Sequence, residues 1–162
     1  MDGFHLYRSQ LSQGVNGRTP EECHRRRGAP WTFDPIGLCA LLEKVKSTTT
    51  ETVGWPDFDH AVKDPEEDAI KVEPGVKVVI LEGLYLLHRK DGWERLEGLL
   101  EQTWYLATPP ALCASRLLGR HMAAWGLTAA EAQERIDQND GINALLVRST
   151  MPTAAGLVHS EE

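Results

Sequence analysis

The stretch Val76-Lys77-Val78-Val79-Ile80-Leu81-Glu82-Gly83 decides the fold class. Residues 76–81 are mostly β-branched and, apart from Lys77, apolar. A run of that kind, without polar alternation, predicts a strand buried on both faces of a parallel sheet. It ends on a carboxylate followed by glycine. Ligands of open α/β sheets bind beyond the carboxyl ends of the strands. A carboxylate at that place either holds Mg²⁺, directly or through water, or is a helix cap or surface group.

Working outward, Pro74-Gly75 is a turn and Ile70-Lys71-Val72 a short strand before it. Residues 53–69, with Pro56, Pro65 and many acidic side chains, read as a long irregular connection. Asp34-Pro35 opens a helix in which Ile36, Leu38, Leu41, Leu42 and Val45 recur at helical spacing, followed by a Ser/Thr-rich loop over 47–52. Thr19-Pro20-Glu21-Glu22 is a capping-box start, with a stop expected at Gly28. On the other side, a helix is predicted over 93–101 and a second buried strand over 103–107. A helix begins after Pro109-Pro110 and ends at Gly126, and another opens at Thr128. A turn at Asn139-Asp140-Gly141 precedes a short last helix, and Gly156-Leu157-Val158 is a closing strand. Strands alternating with helices predict an α/β domain with a parallel sheet.

The 162 residues suit one domain burying about 70% of its unfolded surface. No apolar run is long enough for a membrane span, and no secretory leader opens the chain. Cys23, Cys39 and Cys113 are odd in number and form no CxxC pair, as expected of thiols in a reducing interior, the cytoplasm. Formal charge is −7, against nucleic-acid binding and for neither a nucleic-acid nor a membrane partner. Yet residues 1–30 carry five Arg against Asp2, Glu21 and Glu22, a local +2 that leaves −9 on the remainder. Such a cluster is either a solvated helix end or a seat for a small anion.

Asp2 before Gly3 is by itself a turn signal. Combined with Glu82 and the arginines it gives two carboxylates plus cations, the kit of phosphoryl transfer. One carboxylate accepts the proton of an attacking hydroxyl, the other holds the metal, and Arg neutralises the moving charge. Arg116 and Arg120 are four apart, on one helix face, either solvated or meeting phosphate oxygens.

The strings Met-Asp-Gly-Phe-His-Leu at 1–6, Arg-Arg-Gly-Ala-Pro-Trp-Thr-Phe-Asp at 26–34, Phe58-Asp59-His60 with Lys63-Asp64-Pro65, Val-Ile-Leu-Glu-Gly at 79–83, Arg120-His121, and Asn139-Asp140 with Asn143-Ala144 follow one another along nearly the whole chain. In that order they resemble the uridine kinase/phosphoribulokinase family of P-loop kinases, closest to the branch with the Arg-Arg-Gly-Ala-Pro-Trp-Thr-Phe-Asp segment. The resemblance implies a P-loop NTPase-like parallel sheet flanked by helices, with residues 109–140 as a lid-like region. The activity it implies is ATP- and Mg²⁺-dependent phosphorylation of a hydroxyl on a small metabolite such as a nucleoside, vitamin or sugar. By the same resemblance Asp2 is the general base and Glu82 the residue near Mg²⁺. Arg116, Arg120 and His121 belong to the lid over the phosphates. Arg27, Phe58 and His60 contact the acceptor, and Asn139 and Asn143 approach the nucleotide base.

One departure stands out. The family's first strand leads into a Gly-x-x-x-x-Gly-Lys-Ser/Thr loop, whose amides and Lys cradle the phosphates, and no Gly-Lys dipeptide occurs here. By the resemblance, Asp2 already stands at the end of the family's second strand. A domain truncated before that point, weakened ATP binding and impaired catalysis are the expectation. The neighbours of the absent strand would be left unpaired, so an oligomer or partner covering exposed strand edges is also expected. The rival readings are a non-catalytic kinase-like remnant and a nucleic-acid module built on Arg25-Arg26-Arg27.

Overall fold

In a computed structural model, residues 1–160 are described, and they fall into two compact units, Met1–Glu101 and Gln102–Glu162. The first holds helices α1 (Arg8–Leu11), α2 (Pro20–Arg25) and α3 (Pro35–Ser47) and strands β1 (Val53–Asp59) and β2 (Asp64–Val72). Its centre is aromatic. Trp93 and Tyr85 are fully buried, their ring centroids 5.5 Å apart, and Phe33 meets both edge-on at 5.9 and 5.6 Å. The polar tips of these rings have partners, as burial demands. Trp93 Nε1 donates to the Pro30 carbonyl at 3.1 Å, and the Tyr85 hydroxyl to the Gly28 carbonyl at 2.5 Å.

The segment at 26–34 is thus a structural hub. Gly28 sits at φ 100°, a left-handed conformation that suits glycine. Its N–H donates to the fully buried Thr32 hydroxyl, which donates onward to the Ala29 carbonyl. Asp34 then caps α3 by accepting from Gly37 N at 2.9 Å. The turn Asp2–Phe4 docks on the same segment through Asp34 N to Phe4 O and Leu6 N to Thr32 O.

The capped helix starts at Thr19 and Asp34 stand where the sequence puts them, although α2 ends at Arg25, before Gly28. Residues 53–69 are not an irregular connection. They form most of the antiparallel hairpin β1–β2, paired from Val53↔Val72 to Asp59↔Asp64 with a bulge after Trp55. Pro56 and Pro65 fit there because proline is tolerated on edge strands, and both strands of a two-stranded sheet are edges. The hairpin tip is closed by Asp59, whose Oδ1 accepts from Ala61 N and Val62 N. Ile70–Val72 is the end of β2, not a strand of its own.

The larger correction concerns residues 76–81. They follow the expected turn at Pro74-Gly75 but pair with no strand among the described residues, and 76–80 are exposed, Val78 at 74% and Ile80 at 90%, with Leu81 half-buried. An apolar run becomes a doubly buried strand only where neighbouring strands and covering helices flank it. The helix predicted over 93–101 is reduced to a 3₁₀ turn, Trp93–Leu96. The buried anchors Trp93 and Leu96 hold that turn.

The second unit pairs β3 (Trp104–Leu106) with β4 (Gly156–Val158) in parallel and adds α4 (Pro110–Trp125), α5 (Ala129–Arg135) and α6 (Gly141–Ser149). The expected strands are present, but β3 is not buried: Trp104 is 69% and Leu106 63% exposed. Gly126 ends α4 at φ 65° and Thr128 opens α5 with a reciprocal capping box. Asn139-Asp140-Gly141 is no turn: Ile136–Asp140 is a π-helical segment running straight into α6.

Candidate active site

Asp2 and Glu82 are brought to one place by the backbone. The Met1 ammonium donates to the Glu82 carbonyl at 2.6 Å. The Met1 side chain lies where a Cβ on Gly83 would fall, against Cγ and Sδ. Glycine after the glutamate is what allows this approach. Both carboxylate side chains are exposed. Among the described residues no group of three or more His, Cys, Asp or Glu side chains could hold a metal ion. An exposed Glu82 carboxylate nevertheless fits Mg²⁺, which uses one or two protein carboxylates and takes its other ligands from water and phosphate.

Next to Asp2 stands an aromatic stack. The His5 ring lies 4.0 Å from Phe33 and 4.7 Å from Phe58, and Phe58 meets His60 edge-on at 5.2 Å. Arg27 closes the cluster from the side, 5.4 Å over the Phe58 ring. It donates to the carbonyls of Lys63 and Leu6 and pairs with Asp64 Oδ1 at 3.1 Å, tying the hairpin tip to the turn after Asp2. Burial works against the Arg27 charge, and the Asp64 carboxylate offsets it. Arg27, Phe58 and His60 are therefore assembled in the structure. The sequence reading gave no role to His5, Phe33 or Asp64, since their contacts run between segments far apart in the chain.

Burial pushes the His5 imidazole below its ordinary pKa. The Asp2 carbonyl, bonded to Nδ1 at 2.8 Å, and the Asp2 carboxylate pull it up; Arg27 and the chain amino group push it down. With the folded value depressed, the unfolded chain binds the proton first as pH falls, so this contribution to stability is present above the ordinary histidine range and is lost below it. Melting temperature is expected to fall between about pH 7 and pH 5. His5→Phe, which preserves the stack, is expected to flatten that fall. Equal slopes in the two proteins would sink the assignment. Tyr7 behaves oppositely: its hydroxyl donates to Glu67 Oε1 at 2.7 Å, and this bond, with burial, pushes its pKa up to about 12.

In the second unit, Arg116 and Arg120 lie exposed on α4 and make no ion pair among the described residues. His121 is turned inward. Its Nε2 lies 2.6 Å from Asp140 Oδ2, and its ring stacks on Trp125 at 4.9 Å, with Arg135 3.9 Å over the same indole. These contacts fasten α4 to the π-helical segment. Asn139 and Asn143 are buried on that segment and the helix it continues into. A π-helical segment of this kind often marks a functional position.

The chain is 36% identical over 94% of its length to the ATP-dependent kinase-like protein notR' of Aspergillus versicolor, of which it spans 90%. The chain belongs to the uridine kinase-like family of P-loop kinases. A second member of that family, a proposed uridine kinase of Schizosaccharomyces pombe, is 38% identical over 94% of this chain and 64% of its own. The crystal structure of YFH7 from Saccharomyces cerevisiae, described as a proposed P-loop containing kinase with a circular permutation, superposes with a TM-score of 0.84. That match has 28% identity and covers the whole of this chain and 56% of YFH7. The chain thus spans less than two thirds of the S. pombe protein and of YFH7. No protein-family model matches it. The α/β, P-loop kinase fold class expected from the sequence holds. Among the described residues no helix is long and apolar enough to cross a membrane.

Proposed function

We propose that this chain serves the transfer of the ATP γ-phosphoryl group to a hydroxyl of a small metabolite. The observation that carries the reading is the bond from Met1 N to the Glu82 carbonyl, which sets the backbone of Asp2 near that of Glu82, beside the His5–Phe33–Phe58 stack. Asp2, exposed and three residues before His5 of the stacked wall, accepts the proton of the attacking hydroxyl. The hydroxyl oxygen forms the new bond to phosphorus as the bond to the bridging oxygen of ADP breaks. Glu82 would hold Mg²⁺, whose chemistry there would be to neutralise phosphate charge. Arg27, Phe58 and His60 form the acceptor side. Arg116 and Arg120, in no ion pair among the described residues, meet phosphate oxygens, His121 fixes their helix, and Asn139 with Asn143 stands toward the base.

The absence of a Gly-Lys dipeptide among the 162 residues supports weak ATP binding by these residues and favours, as a second reading, a non-catalytic kinase-like remnant. Calorimetric titration with ATP separates the two. Saturable, Mg²⁺-dependent binding in the millimolar range, lost in Glu82→Ala, is expected. If millimolar ATP gives no heat with the unaltered chain, the remnant reading takes its place.

A further inference from the structure

The chain holds three asparagines, and only Asn16 is followed by glycine. Asn16-Gly17 stands in the loop between α1 and α2. Arg18 N donates to the Val15 carbonyl at 3.0 Å, and Asn16 at φ 50° and Gly17 at φ 77° are both left-handed. This is the type I′ turn that favours an Asn-Gly pair. Both residues are exposed, and a Cβ on Gly17 would meet no atom within 4 Å. Neither the Asn16 side chain nor the Gly17 N–H is hydrogen-bonded among the described residues. An electrophilic side-chain carbonyl and the next backbone nitrogen are thus neighbours, unbonded and uncrowded, and glycine leaves the backbone free to turn one toward the other.

Asn139 and Asn143 supply the contrast within the same molecule. They are 4% and 6% exposed. The nitrogens that follow them belong to Asp140 and Ala144, which carry side chains and lie within the π-helical segment and α6. Attack by either nitrogen first requires local opening of that helical run.

We propose that Asn16 is a site of spontaneous covalent modification, deamidating through a cyclic imide formed with Gly17. The Gly17 nitrogen attacks Asn16 Cγ. The N–Cγ bond forms, the Cγ–Nδ2 bond breaks, and the Gly17 amide proton leaves with Nδ2 as ammonia. Water is the second reactant. It opens the imide at Cγ to give aspartate, or at the main-chain carbonyl to give isoaspartate, and no electrons are exchanged with an oxidant or reductant. Either product adds a carboxylate, so residues 1–30 fall from +2 to +1. The new charge stands two residues before Arg18, which pairs with Glu22 at 3.7 Å and lies 4.2 Å over the Trp31 ring of the 26–34 hub. Isoaspartate also lengthens the backbone of the Val15–Arg18 turn by one carbon, which alters the seat from which Arg18 reaches Trp31.

The test needs neither nucleotide nor metal, so its outcome is independent of the phosphoryl-transfer reading. The full chain is held in mildly alkaline buffer, folded and in urea, then digested briefly with trypsin and mapped by mass spectrometry. In the folded chain, peptide Ser9–Arg18 is expected to gain about 1 Da at Asn16, as an NH₂ is replaced by OH, in two isomeric forms. Peptide Ile136–Arg148, with the other two asparagines, is expected to convert at least about tenfold more slowly when folded and to speed up in urea, where the helices no longer hold its amides. Asn16→Gln, whose imide would need a larger ring, is expected to leave Ser9–Arg18 unmodified with an unchanged circular dichroism spectrum. The proposal is overturned if Asn16 survives in the folded chain, if the two peptides convert alike when folded, or if Asn16→Gln gains mass as fast as the unaltered chain.

Discussion

Trp93→Ala is expected to destabilise the first unit by about 3–5 kcal/mol, the cost of emptying a large aromatic from a packed core. That is a large fraction of a typical domain's stability. The indole is fully buried, contacts Phe33 and Tyr85, and holds the Pro30 carbonyl. Truncation leaves that carbonyl without its donor and the two rings without their shared neighbour. Because Phe33 is also the floor under His5, loosening the core loosens the acceptor side of the site. The check is a urea titration followed by near-ultraviolet circular dichroism, with Trp104→Ala as its control. Trp104 is 69% exposed, and its loss is expected to change stability by less than about 0.5 kcal/mol. Comparable losses in the two variants would show that the core does not centre on Trp93.

The same contrast explains what could be read beforehand. Caps are local: Thr19, Asp34 and Thr128 each announce a helix through a side chain and an amide three residues on, and all three stand as read. The positions of Asp2 and Glu82 were legible as strings, although their meeting through Met1 spans 81 residues of sequence and no local pattern encodes it. The stripe Asp34–Gly37–Leu41–Lys44 is visible in the sequence as one helical face, but that it lines a cavity depends on the hairpin opposite. That hairpin was itself hidden by Pro56 and Pro65. Trp93 and Trp104 look alike as aromatic residues opening apolar segments, and only packing separates them. Inward-facing His121 is a comparable case, since its partner Asp140 sits on a π-helical segment that a turn-like Asn-Asp-Gly string conceals.

The second large effect concerns residues 76–81. Strand character depends on neighbours as well as on a run of residues, and here the apolar run has backbone groups and side chains without a sheet around them. Val76, Val78 and Ile80 alternate onto one face of an extended chain, with Val79 on the other. All four are exposed, and Lys77 is the single charge. A six-residue β-branched segment with no proline and one charge is the signature of intermolecular strand pairing. The isolated chain is therefore expected to self-associate through this segment. Val78→Lys with Ile80→Lys puts two like charges on the face that would pair, and repulsion across any matching strand opposes it. Neither side chain is buried, so the double variant is expected to keep the fold of the first unit. Sedimentation velocity is the measurement: a concentration-dependent boundary for the unaltered chain, and a single species near 18.0 kDa for the double variant. A monomeric unaltered chain, or association that persists in the variant, would count against the segment. Leu106→Lys divides the latter case, since β3 also exposes apolar side chains, and relief there alone would move the sticky edge to the second unit.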